Sequence, residues 1–67
     1  DNMTLSTEAK SFINITDNCN SVIIIEDGIR NLNVATQNEL IRYYNKNTNG
    51  AVTDIKSLAV TMASIQI

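Results

Sequence analysis

The chain has no histidine, no proline and no tryptophan, and it carries one cysteine and two glycines in 67 residues. Without histidine, the usual zinc constellations lose a principal ligand, and a cysteine nucleophile would lack its customary activating base. The single cysteine, Cys19, excludes an internal disulfide. With proline absent, asparagine and glycine clusters are the remaining punctuation between elements.

Charge is also scarce. Five cations, Lys10, Arg30, Arg42, Lys46 and Lys56, lie scattered among seven carboxylates, for a formal net charge of -2. Binding to a phosphate backbone needs several cations facing it together, so no nucleic-acid partner is expected. The longest unbroken apolar run covers residues 22–25, against the roughly 20 residues a spanning helix needs. No membrane-spanning segment and no cofactor are therefore expected.

Asparagine and isoleucine dominate, with ten of each, followed by seven threonines. That mixture is common in coat proteins, surface proteins and AT-rich genomes; it leans toward a structural role and a secreted, cell-surface or virion setting. A domain this small buries only about 60% of the surface its unfolded chain exposes, and such domains usually draw on disulfides, a metal or a partner chain. Partner chains are the support left open. Residues 1–67 are expected to form one small domain or a fragment of a larger assembly, mainly α-helical, built as a helical hairpin or short coiled-coil-like helices and completed by self-association or a larger protein partner.

Three segments emerge. In the first, Ser6 is placed to cap a helix, Glu8 sits in the first turn where the helix dipole favours negative charge, and Phe12, Ile13 and Ile15 supply apolar contacts. The middle is ambiguous. Residues 22–25 are all β-branched, which favours a short strand. A heptad-like series through Phe12, Ile15, Cys19, Val22, Ile29, Thr36, Leu40 and Tyr43 favours helix, interrupted by Glu26 and Asn33. Helix is the preferred reading, with Asp27-Gly28 as the expected break or kink. Beyond it, Leu40, Ile41, Tyr43 and Tyr44 mark a helix that Asn49-Gly50 stops. Thr53 is then a candidate N-cap, Asp54 a first-turn acid, and Ile55, Leu58, Ala59, Met62 and Ala63 recur at helical spacing. The two final helices should form an antiparallel hairpin with Tyr43 or Tyr44 near Ile55 and Leu58. Phe12, Ile15, Val22, Ile29, Leu40, Tyr43, Ile55, Leu58 and Met62 are the expected packing interface.

The hairpin turn carries the one ligand-like pattern. Residues 45–56 resemble an EF-hand loop, with side-chain oxygens of Asn45, Asn47, Asn49 and Thr53 at positions one, three, five and nine, and Gly50 at position six. The pattern departs from the family where charge matters. Asn45 is neutral, and Lys56 stands where a bidentate glutamate closes the site. The turn preferences of asparagine and glycine account for the same residues. Asn2 and Asn14 head Asn-x-Thr glycosylation patterns, which this composition also produces by chance. Cys19 is a candidate for an intermolecular disulfide or a small buried hydrophobe. Glu26 and Asp27 are adjacent and diverge on a helix, so they do not converge on one substrate atom. Gly28 and Gly50 stand alone and build no phosphate cradle.

No enzymatic inventory results. The expectation is a structural or interaction protein, a helical subunit or segment of an assembly such as a filament, virion component or surface-protein stalk. The alternative is a small ion- or ligand-binding module using the 45–56 loop.

Overall fold

The computed structural model describes residues 5–47 and 52–65, with the side chains of Asn47 and Ile65 also left undescribed. Four helices follow one another: α1 (Thr7–Ile15), α2 (Val22–Arg30), α3 (Val34–Asn47) and α4 (Ile55–Ile65). The described residues contain no strand. The Cα radius of gyration of 10.7 Å matches the roughly 11 Å expected of a compact chain of this length. Helices α2 and α4 make the most extensive contact, while α1 packs chiefly on α3.

Helix α1 begins as its sequence implies, with the Ser6 hydroxyl oxygen accepting from the Ala9 N–H at 3.2 Å. Ala9 and Phe12, three residues apart, turn into the core. Thr16 ends the helix. Its buried hydroxyl donates to the Phe12 carbonyl at 3.0 Å, and its carbonyl accepts from the Cys19 N–H at 3.0 Å to tighten the following turn.

Residues 22–25 are helical, which overturns the strand alternative. Ser21 caps the N-terminus by accepting from the Ile24 N–H at 3.3 Å. Ile25 and Ile29, one helical turn apart, are completely buried. A strand would place Ile23 on the same face as Ile25 and Ile29, yet Ile23 is largely exposed while the other two are buried, which is the helical pattern. Burying two isoleucines gives about 3 to 6 kcal/mol, which outweighs the few tenths of a kcal/mol that each β-branched residue costs a helix.

The expected break at Asp27-Gly28 does not occur, because α2 runs through both residues to Arg30. Gly28 instead makes room for a neighbour: a Cβ built on it would lie 2.8 Å from Phe12 Cε1. The heptad-like series is likewise no continuous seam. It is divided among α1, α2 and α3, with turns at residues 16–21 and 31–33 between them.

The chain reverses after α2, where a side-chain amide takes up carbonyls that the last turn of a helix leaves over. Gln37, one turn into α3, donates to the carbonyls of Ile29 at 2.9 Å and Leu32 at 3.1 Å. On α3, Thr36, Leu40 and Tyr44 recur every fourth residue and are buried. Helix α4 contributes Leu58, Ala59, Met62 and Ala63 to the same core. The two alanines keep that face low, which lets neighbouring backbone come close.

The N-cap of α4 lies one residue later than expected. Asp54, not Thr53, caps the helix, its carboxylate accepting from the Ser57 N–H at 2.8 Å. The Ser57 hydroxyl oxygen reciprocates by accepting from the N–H groups of Thr53 and Asp54 at 2.9 and 3.0 Å. Asp-Ile-Lys-Ser thus works as a capping box with serine in place of the usual glutamate.

Candidate interaction surface

Among the nine residues expected to form a packing interface, Phe12, Ile29, Leu40, Leu58 and Met62 lie in the chain's own core, with Val22, Tyr43 and Ile55 at its edge. Tyr44 joins Leu58 in the buried cluster, and its ring meets that of Tyr43 edge to face at 5.2 Å between centroids. Burial, followed by the neighbouring Tyr43, pushes the Tyr44 hydroxyl above the usual tyrosine range. Ile15 differs from the other eight by pointing outward, 74% exposed.

Ile15 is not the only exposed aliphatic of the first three helices. Ile23 and Ile24 in the first turn of α2 are 81% and 64% exposed, and Val34 at the start of α3 is 68% exposed. Single exposed aliphatics are ordinary on a protein surface, but three of these four flank the short α1–α2 connection. Ile15 also forms one end of an open groove of about 400 Å³ lined by Thr7, Glu8, Ser11, Phe12, Ile15 and Leu32. Its α1 wall follows helical spacing from Glu8 through Ser11 and Phe12 to Ile15.

Carboxylates fasten α1 beside that groove, which Glu8 itself lines. Glu8 accepts from the Thr36 hydroxyl and, at 3.3 Å, from the Asn33 amide. Glu39 on α3 accepts from both the Ser6 N–H at 2.9 Å and the Ser6 hydroxyl at 2.8 Å. Ser6 therefore donates to α3 while its oxygen caps α1. These pairs lie 25 to 33 residues apart in sequence, and no local pattern announces them.

A second open cleft, of about 380 Å³, lies between the end of α2, the face of α3 and the start of α4, lined by Arg30, Gln37, Asn38, Ile41 and residues 54–56. Its charges oppose one another. Arg30 donates to Glu26 at 2.7 Å, and the Ser57 backbone N–H, helped by the Ser57 hydroxyl, holds the Asp54 carboxyl below the usual carboxylate range. The cleft presents both signs and selects neither anion nor cation.

In the EF-hand-like stretch, the Asn45 side-chain carbonyl accepts from the Val52 N–H at 2.8 Å. Val52 is buried, so this bond satisfies a donor that water does not reach. Thr53 is exposed. The Asn47 side chain and Asn49 lie outside the described residues, as does Asn2. No group of three or more acidic, cysteine or histidine side chains converges among the described residues. Asn14 faces solvent on α1, and Thr16 of the same triplet commits its hydroxyl to the carbonyls of Phe12 and Ile13. Cys19 is half-buried as a free thiol at the edge of the core. Among the described residues, no helix is long and apolar enough to cross a membrane.

The chain matches no family model, no curated protein and no solved structure.

Proposed function

We propose that this chain is a non-catalytic helical building block that works by associating with protein, foremost with further copies of itself, as a subunit or segment of a larger assembly such as a filament, virion component or surface stalk. The observation that carries this reading is the exposure of Ile15, Ile23 and Ile24 on both sides of one short connection. Every other large aliphatic of α2, namely Val22, Ile25 and Ile29, is wholly or partly buried. Covering apolar surface yields roughly 25 cal/mol per Å², so a partner that covers these side chains is favoured. Cys19 lies within the same connection, and a disulfide to a second copy would reinforce association there.

The test is the molar mass of the purified chain by light scattering over a concentration series, with and without reductant. A defined multimer is expected, and a mass that falls on reduction assigns Cys19 to an intermolecular bridge. A monomer at every concentration overturns the reading.

A further inference from the structure

We infer that association proceeds by exchange of α1, the first helix of each copy seating on the α2–α4 body of its partner; this rests on the self-association reading above and specifies its geometry. Three observations converge on α1.

The first is how α1 is held. It sends only Ala9 and Phe12 from its own length into the core, while Ile25, Ile29, Leu40, Tyr44, Leu58 and Met62 of the other three helices are all buried. Ile13, and Leu5 just before the helix, pack at the edge of that core, and the other ties are polar and discrete: Glu8 to Thr36 and Asn33, and Ser6 to Glu39. The Phe12 ring fits against Gly28, where a Cβ would stand at 2.8 Å. A second copy's α1 satisfies every one of these contacts equally, so exchange forfeits none of them.

The second is the hinge. Residues 16–21 join α1 to α2. Fully extended, six residues reach roughly 20 Å, enough to cross the 18 Å shortest dimension of the molecule. Opening the turn gives up two local backbone bonds, from the Cys19 N–H to the Thr16 carbonyl and from the Asp17 N–H to the Asn14 carbonyl.

The third is what flanks the hinge. Ile15 precedes it and Ile23 and Ile24 follow it, all largely exposed when α1 folds back on its own chain. In an exchanged dimer the two hinges run side by side about a twofold axis, and these isoleucines meet their counterparts. Exchange keeps the contacts of α1 with the core, gives up the two turn bonds and adds this new contact, which is how an identical element passes between protomers at low cost.

The experiment mixes two full-length chains, both with Cys19→Ser, one carrying Ser6→Cys and the other Glu39→Cys. They are co-refolded at a concentration where the unsubstituted chain is multimeric and treated with a short bis-maleimide. Covalent heterodimers joined through positions 6 and 39 are expected. A multimer by light scattering that gives no such heterodimer, while a chain carrying both cysteines is bridged within itself, overturns exchange and leaves self-association standing. A chain that stays monomeric at every concentration removes both readings.

Should the bridge fail in both arrangements, complementation decides. Phe12→Ala empties the seat and Gly28→Leu fills it, so a mixture of the two chains pairs a natural plug with a natural seat and a small plug with a filled one only if α1 is exchanged. A co-refolded mixture unfolding at a higher temperature than either variant alone supports exchange. A mixture that behaves as the sum of its parts excludes it.

Discussion

The Phe12 ring lies so close over Gly28 that a Cβ at position 28 would stand 2.8 Å from Cε1 and 3.2 Å from Cζ. Glycine inside a helix costs about 1 kcal/mol relative to alanine, and here that cost admits the one aromatic side chain of α1. Gly28→Leu should destabilise the fold by about 2 kcal/mol through overpacking. Phe12→Ala should cost about 3 kcal/mol through the cavity it leaves. Urea unfolding followed by circular dichroism measures both; a Gly28→Leu chain as stable as the original would show that the ring does not occupy this seat.

Glu39 makes two hydrogen bonds to Ser6 from the far side of the α1–α3 contact. Glu39→Ala should cost about 1 kcal/mol, the usual net value of a hydrogen bond, and should loosen α1 more than α4. Amide exchange would locate the effect, with faster exchange at the first turn of α1. A double-mutant cycle with Ser6→Ala should show coupling between the two sites, whereas strictly additive losses would argue against the contact.

Asp54 sets the acid behaviour of α4. Hydrogen bonds from Ser57 hold its folded-state pKa below the unfolded value, so the unfolded chain binds the proton more readily. Its contribution to stability is therefore complete above the ordinary carboxylate pKa and is lost as the pH falls through the lower folded value. Asp54→Asn, which keeps a capping oxygen without the charge, should flatten this part of the acid limb. An unchanged dependence of stability on pH below the ordinary carboxylate range would refute the assignment.

Ile23 and Ile24 are exposed at the start of α2, so replacing both with serine should leave the helical circular dichroism intact. The molar mass at high concentration should drop toward that of the monomer. Retained multimers would place association on another face.

Local chemistry was legible wherever one segment could satisfy itself. Ser6 caps α1 as its position implies, whereas the expected stop at Asn49-Gly50 lies outside the described residues. Asp54-Ile-Lys-Ser57 was also legible in principle, since a reciprocal cap needs only four consecutive residues; the hydroxyl in place of glutamate concealed it. The candidate surface was less visible. Periodicity grouped Ile15 with the buried Phe12 and Ile29, although it faces solvent, because spacing alone does not say which helix faces are covered.

By itself the sequence determined a small, mainly helical chain of several short segments, since apolar spacing, capping residues and turn residues act over a few positions and carry their own energetics. Only the tertiary structure decided that the β-branched run at 22–25 is helical, that Gly28 is a seat rather than a break, and that Glu8, Gln37 and Glu39 tie one helix to the next. The reason is range. Each outcome depends on a partner brought near by the fold, and burial of Ile25 and Ile29 or contact with Phe12 outweighs local preferences of a kcal/mol or less.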